Sequence, residues 1–120
     1  MALSVVKVQD SRAEYSVGLQ QESFLLIPGT SDYVTGGYPI TTTLTGFKNI
    51  QLASIDGENA TALGWDAYCV FPLAQVGTGG PGFGGYLQFL FYLAVVTTGV
   101  QAANGANISG AIWVVTIQGY

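Results

Sequence analysis

Charge is confined to the first part of this 120-residue chain: every Asp, Glu, Lys and Arg lies at or before Asp66. These residues make up only 8% of the sequence, whereas soluble domains average about 25% and spread mixed charge over their surfaces. The second half therefore meets its surroundings through small polar and apolar groups. We expect other protein copies to cover much of it, because the centres of obligate interfaces lack charge. The alternative is an uncharged surface of Thr, Gly and Asn, as on many extracellular β-proteins.

The remaining composition narrows the class of protein. The length suits a single domain over residues 1–120 with one core, and a hydrophobic content of 49% is too high for a disordered chain. A net charge of −4 with three basic residues predicts a protein that binds neither nucleic acid nor an anionic membrane. Residues 1–17 lack the basic and apolar regions of a secretory signal.

Alternation of apolar and polar residues predicts strands rather than helices. Residues 28–46 predict a long loop with one helical turn near 41–44, and Asp56-Gly57 predicts a hairpin turn. Pro72 predicts that its strand lies at an edge or contains a bulge. The fold predicted is all-β: an antiparallel β-sandwich or barrel, jelly-roll-like, of six to eight short strands with little or no helix. The expected strands are residues 3–8, 13–19, 22–27, 47–55, 67–76, 86–98 and 111–118.

Residues 77–99, GTGGPGFGGYLQFLFYLAVVTTG, join a glycine cluster to a long uncharged apolar run. The cluster matches G-x-G-x-x-G, but the residues after it favour a strand, and no acidic residue comes later to bind a ribose. We interpret the match as chance. The run is also too short for a membrane helix, which takes about 20 apolar residues. We expect a strand that is apolar on both faces, either central in a sandwich or lying against another subunit. The loop at 77–85 presents Phe83 either as a plug for a partner's pocket or as a plain hairpin tip.

Residues suited to catalysis and metal binding are scarce. The chain has no His, and its single cysteine, Cys69, lies in the apolar run AYCVF, where we expect a buried and inert thiol. Asp56, Glu58 and Asp66 form an acidic group, which we interpret as a solvated turn rather than a Ca²⁺ site or a glycosidase pair. The sequence therefore predicts a protein that is not an enzyme and that has no cofactor and no metal.

The segment TSDYVTGGYPITTTLTGFKNIQLASIDG resembles small structural proteins of tailed bacteriophages. The shared pattern is a short Val-rich first strand, a Tyr-x-Thr-Gly-Gly-x-Pro-hydrophobic segment, a Gly-hydrophobic-x-x-Ile strand and an apolar last strand that closes with Gly. Its residues here are Tyr33, Thr35, Gly36, Gly37, Pro39, Ile40, Gly46, Phe47, Ile50 and Gly119. The glycine loop at 77–85 falls outside the pattern. The resemblance implies a capsid decoration (cement) protein, a β-rich subunit that binds the outside of a phage head, by analogy as a trimer.

The resemblance and the charge distribution give a functional expectation. The partners would be the major capsid protein and other copies of the chain, and the location would be the capsid surface of a virion made in the host cytoplasm. Residues 1–12 would form an N-terminal arm that adds a strand to a shell subunit. The candidate interface residues are Val5, Val6, Phe83, Tyr86, Phe89, Phe91 and Trp113.

Two other roles stay open on the sequence. One is a tail, neck or fibre-base subunit of the same particle, which copy number separates from a cement protein. The other is a host-attachment module that binds carbohydrate through Trp65, Tyr68 and Tyr86 as a stacking platform. Core packing also accounts for these three aromatic residues.

Overall fold

The computed structural model describes residues 3–9, 11–16, 19–71 and 86–120, and these residues form strands with two short helices. The strands are β1 (Ser4–Lys7), β2 (Ala13–Ser16), β3 (Leu19–Ile27), β4 (Tyr38–Thr41), β5 (Ile50–Glu58), β6 (Trp65–Val70), β7 (Gln88–Val95) and β8 (Trp113–Gly119). Helix α1 (Thr42–Thr45) is a single turn, and a 3₁₀ helix (Ala60–Gly64) leads into β6. No helix in the described part of the chain is long and apolar enough to cross a membrane.

The strands form two antiparallel sheets, which confirms the predicted all-β sandwich. The five-stranded sheet has the order β1-β3-β8-β5, with β2 also pairing with β3. The three-stranded sheet has the order β4-β7-β6. The sheets meet at one corner, where the backbone N–H groups of Ile50 and Tyr86 each donate to the other residue's carbonyl, at 2.8 and 2.7 Å.

Alternation along the strands places the core between the two sheets. Each sheet sends every second side chain inward, so that β7 contributes Phe89, Phe91 and Leu93. The rings of Phe91 and Trp113 meet edge to face with their centroids 5.2 Å apart, which joins the central strand of one sheet to a central strand of the other. Such aromatic pairs add roughly 0.5–1.5 kcal/mol beyond the area they bury.

Several predicted elements are confirmed. Strands β1 and β7 lie within the predicted ranges 3–8 and 86–98, and strands β3, β5 and β8 overlap the predicted ranges 22–27, 47–55 and 111–118. The single turn of α1 overlaps the turn predicted near residues 41–44. The strand predicted at 67–76 corresponds to β6, which lies at the edge of its sheet as Pro72 indicated. Pro72 itself and the rest of that range lie outside the described residues. The single domain over residues 1–120 remains a prediction.

Three predictions about elements are wrong. Residues 13–19 are not one strand, because β2 ends at Ser16 and pairs antiparallel with β3, which begins at Leu19. Residues 28–46 are not wholly loop, since they contain β4. Asp56-Gly57 does not form a hairpin turn: β5 continues through it, with an irregularity in its pairing with β8 between Ile55 and Gly57. Long-range pairing with β8 thus overrides the local turn preference.

The chain reverses instead at the 3₁₀ helix, which Asn59 caps. The Asn59 side-chain oxygen accepts from the backbone N–H groups of Ala62 at 3.1 Å and Ile112 at 3.0 Å. Its amide nitrogen donates to the carbonyl of Gly110 at 2.8 Å. The Asn59 side chain therefore holds the turn between β5 and β6 and also the residues just before β8. Both contacts lie where the chain passes from the five-stranded sheet to the three-stranded sheet.

Candidate interaction surface

The outer face of the three-stranded sheet presents a row of apolar and aromatic side chains. The register pairs Pro39 of β4 with Leu90 of β7, and Leu90 in turn with Val70 of β6. Two residues along, Tyr92 pairs with Tyr68, and their ring centroids lie 6.1 Å apart. We name these five residues the Tyr68 face. They point away from the core because their neighbours Phe91 and Cys69 pack into it.

The Tyr68 face is open to solvent in the single chain. Tyr68 keeps 51% and Val70 43% of its surface exposed, while Leu90 and Tyr92 on the central strand are half-buried. Its polar groups are the two phenol hydroxyls and the carboxylate of Asp66 near one end. Among the described residues, none of these three groups makes a hydrogen bond to another side chain. An exposed apolar face of this kind is typical of a protein contact.

The outer face of the five-stranded sheet is different, because its polar side chains bond to one another. The hydroxyls of Ser23 and Thr116 lie 3.0 Å apart, and Thr116 also donates to the Asp56 carboxylate. Gln118 donates to Gln21 at 3.2 Å. Such cross-strand ladders suit a face turned to water, although the half-buried Leu25, paired with Val6 and Val114, lies on the same face beyond the ladder.

An apolar pocket of about 260 Å³ lies beside β4, and we name it the Leu44 pocket. Leu3, Val34, Leu44 and Pro39 supply its apolar lining, and Asp32 and Tyr38 complete it. Pro39 belongs to both this pocket and the Tyr68 face, so the two surfaces adjoin. Val34 and Leu44 are 53% and 44% exposed, which makes the pocket accessible to a partner's side chain.

Hydrogen bonds within one loop shape the Leu44 pocket. The Tyr38 hydroxyl donates to Asp32 Oδ1 at 2.6 Å, and the Gly29 backbone N–H donates to Asp32 Oδ2 at 3.0 Å. Burial and the adjacent carboxylate raise the pKa of Tyr38 well above its usual range. Both carboxylate oxygens are occupied, so Asp32 acts here as a fixed part of the wall.

The Tyr-x-Thr-Gly-Gly segment holds this loop against β7. The buried Tyr33 hydroxyl accepts from the Leu93 backbone N–H at 3.2 Å and from Gln101 Nε2 at 3.1 Å. It thus bonds to β7 beyond the point where β4 ends. Gly37 has a φ of 107° and lies so close to Phe91 that an added Cβ would stand 3.1 Å from the Phe91 carbonyl oxygen. Only glycine fits there without strain.

An open cleft of about 340 Å³ between β5 and β6 brings Asp56, Glu58 and Asp66 together. Two of these carboxylates are already engaged, because Glu58 Oε2 accepts from Trp113 Nε1 at 3.1 Å and Asp56 accepts from Thr116. All three residues are exposed, and no group of metal-binding side chains occurs among the residues that were described. The cleft is open rather than enclosed, so it does not exclude water from a bound molecule.

The predicted interface residues divide into separate environments. Phe89, Phe91 and Trp113 are fully buried in this chain's own core, so their side chains are not available to a partner in this fold and that part of the prediction is wrong. Val5 packs against the core from β1, whereas Val6 is 44% exposed. Tyr86 is half-buried with its ring 4.9 Å from that of Phe71. Phe83 and the loop at 77–85 lie outside the described residues.

The proposed sugar platform is not assembled. Trp65 packs toward the core and Tyr68 lies on the outer face, because they occupy opposite faces of β6. Tyr86 contacts Phe71 instead of either residue. Cys69 is half-buried against the core, and its burial raises the pKa of the thiol to about 12, as expected for an inert cysteine.

Sequence reasoning missed Pro39, Leu90 and Tyr92 as surface residues. The sequence did predict a strand that is apolar on both faces, and β7 is such a strand. Its odd-numbered Phe89, Phe91 and Leu93 point into the core, and its even-numbered Leu90 and Tyr92 point outward. The prediction chose the inward-pointing Phe89 and Phe91 as interface residues rather than the outward-pointing Leu90 and Tyr92.

Comparison with known proteins yields no relative: no protein-family model, no curated protein and no solved structure matches the sequence.

Proposed function

We propose that the chain is a structural subunit of a tailed-bacteriophage particle and acts, without catalysis, as a capsid decoration protein on the outside of the head. The observation that carries this proposal is the continuous, largely apolar surface formed by the Tyr68 face and the Leu44 pocket, in which Asp32 is held by hydrogen bonds and Asp66 lies at one end. A cement protein needs such a surface, because it holds a shell together through protein contacts repeated over a lattice.

The phage-like segment supports the same proposal by its location. Its residues between Tyr33 and Ile40 build β4 and one wall of the Leu44 pocket. The Tyr-x-Thr-Gly-Gly-x-Pro part of the segment therefore lies next to the apolar surface, while the last residues of the segment, 55–57, line the acidic cleft. We propose that the pocket receives an apolar side chain of the major capsid protein.

The N-terminal segment contributes to this contact in a different way from a free arm. The structure pairs Ser4–Lys7 with β3 of the same chain, and Leu3 lines the pocket. Deleting residues 2–9 would uncover β3 and remove part of the pocket together. Point substitutions in the pocket therefore test the proposal more cleanly than a deletion does.

Co-sedimentation with empty shells of the same virus provides this test. We expect the double substitution Val34→Asp and Leu44→Asp to weaken shell binding at least tenfold, because it places two unpaired carboxylates in an apolar contact. Leu63→Asp is the matched control, since Leu63 is 62% exposed but lies on the 3₁₀ helix between β5 and β6. Equal binding by all three proteins would refute the pocket as the shell contact. Wild-type protein that fails to sediment with any shell would refute the function itself.

A further inference from the structure

We propose that the Tyr68 face is the contact between two copies of this chain, which pack their three-stranded sheets face to face about a two-fold axis. This inference deepens the proposed function and rests on it for the role of the pair in a particle. The surface itself, however, is argued from the chain alone. Its partner is a second copy because the polar groups of the face complement one another.

The face carries one kind of charge and one kind of donor. Asp66 at one end can only accept hydrogen bonds when ionised, and the hydroxyls of Tyr68 and Tyr92 can donate. None of the three bonds to another side chain within the described residues of its own copy. Asp66 and Tyr68 lie two residues apart on β6 and point the same way. A two-fold axis that lies in the contact plane, perpendicular to the strands, reverses the strand direction of one copy relative to the other. The Tyr68 phenol of one copy then lies near the Asp66 carboxylate of the other.

Charge also favours a like partner on this face over other faces of the molecule. The chain carries a net charge of −4, so two copies repel unless they meet where charge is sparse. The acidic cleft with Asp56 and Glu58 opposes an edge-to-edge pairing of β6 strands, because it would bring two such clefts together. Stacking the outer faces keeps Asp56 and Glu58 at the rim of the contact, where salt screens their repulsion, and engages Asp66, which lines the same cleft, in the cross-copy hydrogen bonds.

The size of the face sets the strength of the contact. Three strands about 4.8 Å apart and the eight residues of β7 at about 3.4 Å each give a footprint of about 14 by 27 Å. The area of this footprint is below the roughly 800 Å² per partner that a standard stable interface buries. We therefore expect reversible association that depends on concentration, and on a capsid lattice the high local concentration would favour the pair.

Sedimentation velocity of the whole chain over a concentration series up to about 1 mM tests this inference. We expect a monomer–dimer equilibrium for the wild type and at least a thirtyfold weaker association for Leu90→Arg, which buries a charge in the contact. Leu25→Arg is the matched control, because Leu25 is also a half-buried leucine on the outer face of a paired inner strand, but in the other sheet. Circular dichroism checks that both variants keep the wild-type fold.

A double-mutant cycle tests the predicted cross-copy hydrogen bond. We expect Tyr68→Phe and Asp66→Asn each to weaken association several-fold. The double variant should weaken it by less than the product of the two single fold-changes, because both substitutions remove the same hydrogen bond. A chain that stays monomeric, that forms trimers, or that is weakened equally by Leu25→Arg would overturn the inference. A monomeric chain that still saturates shells would retain the proposed function and lose only this contact. A chain that forms a dimer through this face but binds no shell would support the contact and refute the proposed function.

Discussion

At the scale of single residues, much of the phage-like segment is explained by what the fold requires of it. Tyr33 supplies hydrogen bonds to β7 beyond the end of β4, and Gly37 permits β4 to approach Phe91. Gly119 meets a similar demand at the other end of the chain, because an added Cβ would stand 2.0 Å from the carbonyl oxygen of Asn49. These positions constrain the backbone, whereas Pro39 also lies on the outer face of the three-stranded sheet.

Gly119→Ala should destabilise the protein by about 2–4 kcal/mol, because the methyl group overlaps backbone that pairing with β5 holds in place. Gly57→Ala is the control, since an added Cβ there meets nothing within 4 Å. Urea unfolding measures both free energies. A loss at Gly119 no larger than that at Gly57 would show that the two backbones do not approach this closely.

The Cys69 thiol should make the folded state less stable in alkali. Burial raises its pKa from an ordinary 9.0 to about 12, so above about pH 9 the unfolded chain loses this proton while the native chain keeps it. Stability therefore falls as pH rises from about 9 toward 12, by about 1 kcal/mol between pH 9 and 10. Cys69→Ala should remove most of the fall within that interval and leave the smaller part due to Tyr38, whose pKa is also raised. Thermal unfolding midpoints measure the difference. An unchanged pH dependence in the variant would contradict the assignment to Cys69.

These residues differ in how far the sequence could predict them. The apolar neighbours of Cys69 are adjacent in the chain, so the sequence predicted a buried thiol correctly. The constraint on Gly119 comes from Asn49, far away in sequence, and no local pattern reveals it. The same holds for the Leu44 pocket, because Leu3 reaches it only after β1 pairs with β3.

At the scale of elements, an ion pair just before β2 supports the antiparallel pairing of β2 with β3. Arg12, just before β2, places its guanidinium 3.0 Å from Glu22 Oε1 and 4.5 Å from the centre of the Phe47 ring. Glu22 is a buried carboxylate on β3, with only 5% of its side chain exposed. Because the acid is buried and the base is not, the arrangement depends on Arg12 to neutralise Glu22.

Arg12→Leu should cost about 3 kcal/mol, because it leaves the Glu22 carboxylate buried without its cation. The double variant Arg12→Leu with Glu22→Leu should recover most of that loss, since no uncompensated charge remains. Chemical denaturation of the two variants and the wild type measures the difference. If the double variant is as unstable as Arg12→Leu alone, β2 is held mainly by the cation over Phe47 and by its other contacts.

The elements that the sequence predicted well are those with a continuous apolar or alternating pattern. β3, β7 and β8 are such strands, and their burial follows the expected period of two. β4 was missed because its four residues contain a proline and sit among turn-forming residues. Asp56-Gly57 was misread because β5 gains more from pairing with β8 than from a local turn.

At the scale of the whole molecule, the two sheets present different outer surfaces. One carries a ladder of hydrogen-bonded Ser, Thr, Gln and Asp side chains, and the other carries the Tyr68 face beside the Leu44 pocket. The lack of charge after Asp66 predicted that part of the exterior would be covered. It could not predict which part, because the outward half of β7 is set by its register with β4 and β6.

The proposal that the chain decorates a phage head is tested most directly by counting its copies in purified phage particles, by quantitative mass spectrometry against the major capsid protein. A decoration protein that occupies a lattice should be present on the order of hundreds of copies per particle. A count of about six or twelve, as in a ring at the tail or neck, or the absence of the chain from particles, would contradict the assignment to the capsid surface.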